Sequence, residues 1–251
     1  MSGNDGALEP NLPDEIQRLE SLCDRVSTPC GNGHMVWRAF GGGDRTIALF
    51  HGGSGSWWHW LRVIEPLAKD FRLLVADLPG LGDSDNAPEP YDAYTFGAVL
   101  AEGIKALTPV SNPPHMAGFS FGGVTGSHAA ADLGEHARSM TVIGSGGMGL
   151  TRPPMRDFVR WRRLETVEER NAAHRHNLLT LMLANESSVD ELAIYIQREN
   201  TIRARTKSGP ASRTSSLCEA LPRATCRIGG IWGELDATAI GHLEARRELF
   251  D

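Results

Sequence analysis

The run Gly118-Phe119-Ser120-Phe121-Gly122-Gly123 constrains this chain more than any other stretch of it. It follows His115–Phe119, which reads as a short buried strand, and leads into Gly122–Leu133, which is rich in small residues and helical in pattern. A serine between glycines at such a junction sits on a tight strand-to-helix turn, its backbone strained and its Oγ exposed. Glycines two before and two after leave room for the turn, because a Cβ there would collide with a neighbouring strand or helix. The helix that follows at once aims its first N–H groups and its positive dipole end at the serine. Ser120 is therefore the candidate nucleophile.

Around this corner the chain alternates between strands and helices. Met35–Phe40 alternates polar and apolar residues, while Thr46–Phe50, Phe71–Ala76, Ser139–Gly144 and Thr225–Trp232 read as strands with apolar runs. Helical spacing appears in Trp57–Ala68, Thr95–Leu107 and Ile240–Leu249. That rhythm implies parallel strands joined by right-handed crossovers, a three-layer α/β sheet. It breaks at about Leu150. From there to Leu217 only charged, amphipathic helical segments occur, such as Arg156–Arg170 and Val189–Arg205. The stretch is far longer than a normal connection and reads as an inserted helical cap. The expected division is a core over 1–149, a cap over 150–217 and a second core part over 218–251. Met35 begins the first segment that reads as packed structure.

Two further elements bear on the chemistry. Phe50-His51-Gly52-Gly53-Ser54-Gly55-Ser56 joins a buried strand to a helix. A glycine-rich loop there can turn the Gly53 N–H toward the serine, and the Phe121 N–H, one residue past the nucleophile, would complete an oxyanion hole. Such loops also cradle phosphates, but this loop carries neither G-x-x-x-x-G-K-[ST] nor G-x-G-x-x-G. In Gly230-Ile231-Trp232-Gly233-Glu234-Leu235-Asp236, Asp236 lies just past a late strand, where a carboxylate would orient a catalytic histidine. Glu234 competes but stands nearer the strand.

The formal net charge of −6 offers no broad attraction to nucleic acid or an anionic membrane. Basic clusters in Arg152–Arg175 and Arg198–Arg213 are interleaved with Glu and read as solvated helix faces. Met1–Pro13 is polar, without the pattern of a secretory signal, and no apolar stretch approaches the ~20 residues of a membrane span. Cys23, Cys30, Cys218 and Cys226 lack metal-site spacing and are expected to be free thiols in a reducing cytoplasm. No cofactor and no metal are expected. The expected partner is a small-molecule substrate, with homo-oligomerisation open.

His51-Gly52-Gly53, Asp77-Leu78-Pro79-Gly80-Leu81-Gly82-Asp83-Ser84, the Ser120 run and Ile231-Trp232-Gly233-Glu234-Leu235-Asp236 resemble the α/β-hydrolase superfamily in order and spacing, from about Met35 to the C-terminus. The resemblance implies an α/β-hydrolase fold with a mostly parallel sheet, a helical cap and a Ser–His–Asp triad, and it says little about substrate. Ile143–Gly149 and the cap are similar to the meta-cleavage-product hydrolases, which split C–C bonds in ring-fission products. That group usually has Asn where this chain has Phe119, and proline in the oxyanion loop, which is lacking here. Arg198 in the cap could stand for that group's substrate-binding arginine, against the plainer reading of a solvated arginine.

The resemblance places the catalytic histidine on a loop after one further strand, and only Ala237–Asp251 follow Asp236. None of the nine histidines fits: His242 falls on a following helix, His51 opens the oxyanion loop, His115 is at the wrong end of its strand, and His174 and His176 are in the cap. His34, His59, His128 and His136 fall on loops or helices away from the strand ends. The expectation is that the natural chain continues past Asp251 with the last strand, whose absence would leave Thr225–Trp232 as an open edge. The expected function is cleavage of a small-molecule ester through an acyl-enzyme on Ser120. The alternatives are C–C hydrolysis and a non-catalytic binding protein, which would have no need of a strained serine.

Overall fold

A computed structural model describes residues 12–151, 153, 157–207 and 214–250. Most of the polar N-terminal stretch and the start of Arg156–Arg170 lie outside them. Strands β1 (Asp24–Cys30), β2 (Gly33–Phe40), β3 (Thr46–Phe50), β4 (Arg72–Ala76), β5 (His115–Phe119), β6 (Ser139–Ile143) and β7 (Arg227–Ile231) form one sheet in the order β1-β2-β4-β3-β5-β6-β7. The pairs β3–β4, β3–β5, β5–β6 and β6–β7 are parallel, and β1–β2 and β2–β4 antiparallel. Parallel neighbours need crossovers. Helices α2 (Leu61–Ala68), α3 (Ala93–Leu107) and α4 (Phe121–Leu133) lie within those connections.

The period of two along a strand sorts each side chain to one face of the sheet. In β4, Leu74 and Ala76 pack with Phe50, Phe96 and Leu100 in one apolar cluster, on the side of α3 and α4. Leu73 and Val75 pack with Trp57, Leu61 and Ile64 in a second, on the side of α2. Helices therefore cover both faces, and the three-layer, mostly parallel arrangement expected from the sequence is present.

Two elements were not legible in the sequence. Helix α1 (Asp14–Leu22) buries only Ile16 and Leu19. The edge strand β1 reads Asp-Arg-Val-Ser-Thr-Pro-Cys, without clean alternation and with Pro29, which an edge tolerates. Packed structure thus begins before Met35. Trp57–Ala68 opens as a tight 3-10 turn over Trp57–Trp60 before α2. The expected helix over Arg156–Arg170 is corrected too: after a short turn at Trp161–Arg163, α5 (Val167–Leu181) starts where Thr166 and Glu169 form a capping box. Helices α6 (Glu191–Arg203) and α7 (Ser216–Ala220) precede β7, and α8 (Leu243–Glu248) follows it. β7 is the outer strand among the described residues, and Ile231 at its end is 56% exposed.

A buried ion network fastens the strand ends together. Arg38 of β2 is 2% exposed. Its guanidinium donates to Glu20 of α1 at 2.7 Å, to Asp77 at 3.0 Å and to Asp83 at 2.6 Å, and lies 4.7 Å from the centre of the Trp57 ring. Asp77 also accepts the Trp57 N–H at 2.8 Å and the Asp83 N–H at 3.0 Å. Arg203 at the end of α6 pairs with Asp83 as well. Removing the cation leaves buried Asp77 uncompensated, so Arg38→Met should cost about 3–5 kcal/mol. Urea unfolding would register this as a lower midpoint with an unchanged slope.

Candidate active site

Ser120 sits between β5 and α4 with φ 53° and ψ −114°, in the positive-φ region that non-glycine residues rarely adopt. Close packing enforces that conformation. A Cβ on Gly118 would collide with the carbonyl of Gly122, and one on Gly122 with the carbonyls of Phe50 and His51 at the end of β3. The Ser120 N–H donates to Ile143 O at 2.8 Å, and its carbonyl accepts from Gly123 N at 3.0 Å and from the Ser145 hydroxyl at 2.7 Å. A strained backbone of this kind costs about 1–3 kcal/mol and persists only when its surroundings over-determine it. Phe121 is the first residue of α4, so its N–H faces the serine side of the helix rather than an earlier turn.

The glycine loop after β3 is fixed by two histidines. His51 is fully buried; its Nδ1 lies 2.7 Å from Gly52 O, and its Nε2 accepts the Leu78 N–H at 2.9 Å. A ring nitrogen facing a carbonyl donates and one facing an N–H accepts, so the proton is on Nδ1. His59 reaches the same loop, its Nδ1 accepting the Gly52 N–H at 3.3 Å. Its ring centre stands 5.8 Å from Phe119 and 5.9 Å from His51. This corrects the expectation that His59 lies away from the strand ends: the turn at Trp57–Trp60 folds it back under the loop. Gly52 is squeezed from the other side, since a Cβ there would stand 2.9 Å from the Phe119 ring.

Asp236 follows β7 through a turn in which its N–H donates to Gly233 O at 3.1 Å. One carboxylate oxygen accepts the N–H and the hydroxyl of Thr238, each at 2.8 Å. Gly53, Ser120 and Asp236 line one cavity of about 310 Å³. Phe121, 3% exposed, is buried and Glu234 exposed, and neither is in the lining. Among the described residues no histidine lines this cavity. Arg198 does not line it either: it is 17% exposed and paired with buried Glu199 at 2.9 Å, which corrects the reading of a solvated arginine. No group of three or more His, Cys, Asp or Glu residues among the described ones is placed to hold a metal ion. No helix among them is long and apolar enough to cross a membrane.

Burial pushes the His51 imidazole down from its ordinary 6.5 to about 4, and burial with the neighbouring His51 pushes His59 down to about 3. Both are neutral in the fold and take up protons on unfolding below pH 6.5. Their folded values lie below their unfolded ones, so stability falls as the pH drops from about 6.5 through 4. Thermal melts over that range should show the loss. His51→Asn should flatten the slope and, by leaving buried backbone groups unpaired, cost about 1–3 kcal/mol at pH 8.

Residues 45–215 match the family described as the alpha/beta hydrolase fold. A 76-residue stretch is 33% identical to a soluble epoxide hydrolase of Corynebacterium sp. (strain C12), covering 30% of this chain and 27% of that protein. A 111-residue stretch is 32% identical to a pimeloyl-[acyl-carrier protein] methyl ester esterase of Yersinia pseudotuberculosis, covering 44% of this chain and 40% of that one. The matched stretches thus span less than half the length of either relative. A membrane phospholipase A, a bacterial virulence factor, superposes with a TM-score of 0.69 at 21% identity, over 94% of this chain and 81% of that one, a likeness of fold.

Proposed function

The chain belongs to the α/β-hydrolase fold family, and on that premise we propose that it serves as a serine hydrolase that cleaves a small-molecule ester through an acyl-enzyme on Ser120. The observation that carries this reading is the positive-φ corner at Ser120, opening into a cavity that Gly53 and Asp236 also line. A protein that only bound a ligand would have no use for that strain, whereas a nucleophile gains exposure and a nearby helix N-terminus from it. The match to a methyl ester esterase is consistent with an ester as substrate.

In this reading Ser120 Oγ attacks the ester carbonyl. The N–H groups of Gly53 and Phe121 take the charge that develops on the carbonyl oxygen. Asp236 orients the base that accepts the serine proton. No described residue of the cavity wall is assigned as that base. The aromatic ring of Phe119 beside the nucleophile, where C–C hydrolases have an amide, favours the ester over a ring-fission substrate.

Turnover of p-nitrophenyl esters, compared with a ring-fission dienoate, tests the reading. Ser120→Ala should abolish ester turnover, a loss of several powers of ten. A catalytic efficiency tenfold or more higher on the dienoate would reverse the choice of substrate, and full activity in Ser120→Ala would end the proposal.

A further inference from the structure

A second cavity adjoins the first. It measures about 160 Å³ and lies between the Trp57–Leu61 segment and helices α5 and α6. Trp58, Leu61, Leu178, Leu192, Ala193 and Ile196 give it an apolar wall. Met182 and Leu183 line both cavities, so the partition between them consists of side chains that face each way. Their backbone is fixed, since both N–H groups donate to Leu178 O, at 2.8 and 2.9 Å. Their side chains are only half-buried. A methionine has three rotatable bonds and fills irregular space, which lets such a partition yield to a thin ligand.

The chemistry of the two linings is continuous. On the Ser120 side the wall is built from Ile143, Leu179, Leu181, Ala184 and Leu235. Among the described residues lining the second cavity, the one full charge is Arg62, which pairs with Asp190 at the start of α6; Ser188 and Gln197 are neutral, and the His59 ring is held neutral by burial. None of them offers an uncompensated charge to a ligand. A branched or ring-bearing group would demand a wider displacement of Met182 and Leu183 than an unbranched chain does.

We propose that the two cavities form one channel for an unbranched alkyl chain, entered at Ser120 and ending against Trp58, which makes the substrates esters of medium-length linear acids and makes Ala193 and Ile196 the residues that set chain length. This rests on the ester reading of Ser120 for the place where the carbonyl sits. The channel itself rests on the linings alone.

The test uses binding, which needs no catalytic base. Methyl ketones with unbranched chains from butyl to undecyl mimic the ester carbonyl and its acyl chain. Their affinity, measured by calorimetry, should rise by about fourfold per methylene and level off once the second cavity is full. Ala193→Phe, which fills that cavity, should bring the plateau to a shorter chain while leaving the shortest ketone unchanged. In the unsubstituted protein, an undecyl ketone brominated on its last carbon should quench tryptophan fluorescence, and Trp58→Phe should remove that quenching. A plateau at the same length in Ala193→Phe, or bromine quenching that survives Trp58→Phe, would overturn the proposal. If Ala193→Phe fails to fold, the quenching decides. The ketone series should persist in Ser120→Ala, so a wrong nucleophile and a wrong channel give different results.

Discussion

The contact on which the site depends is the one between the start of α4 and the carbonyl ends of β3 and β5. Gly118 and Gly122 let the helix approach so closely that no Cβ fits at either position. That approach leaves Ser120 no conformation but the strained one, and turns its side chain outward. The neighbouring strand completes the clamp, because Ile143 O and the Ser145 hydroxyl hold the Ser120 peptide from the side of β6. Trp232 then donates its indole N–H to Ser145 O at 3.1 Å, so the turn that delivers Asp236 is built onto the same clamp. Nucleophile and carboxylate are thus held by one set of contacts rather than by two independent loops.

A second constraint sets the glycine loop. Arg38 gathers three carboxylates at the ends of β2 and β4, and one of them, Asp77, fixes the Trp57 backbone. Trp57 begins the turn that carries His59 under Gly52. His51 joins the same loop to Leu78, the residue after Asp77. The charge network thus helps fix where the Gly52–Gly53 peptides lie. Buried ion networks are costly to desolvate, and a role in fixing geometry gives this one a reason to exist beyond stability.

What the sequence made legible was whatever depends on local pattern. The elbow at Ser120, the glycine loop and the position of Asp236 follow from residue types at fixed spacing beside apolar runs, and the strands from β3 to β7 follow from those runs. What stayed hidden depends on partners distant in sequence. β1 carries no alternation because its residues answer to an edge, α1 has only Ile16 and Leu19 to show for its burial, and Arg38 looks like any strand arginine until Glu20, Asp77 and Asp83 converge on it. His59 is hidden for the same reason. Its spacing says turn or helix, and only the fold reveals the ring beneath Gly52. The second cavity is likewise the product of two segments, Trp57–Leu61 and the α5–α6 pair, that no local pattern connects.

The central claim is that Ser120 is the activated nucleophile. Peptide mapping by mass spectrometry after reaction with a fluorophosphonate tests it most directly, because it names the atom that reacts. The account predicts a single adduct, on the peptide that contains Ser120. An adduct on any other serine, or labelling that persists undiminished in Ser120→Ala, would contradict it.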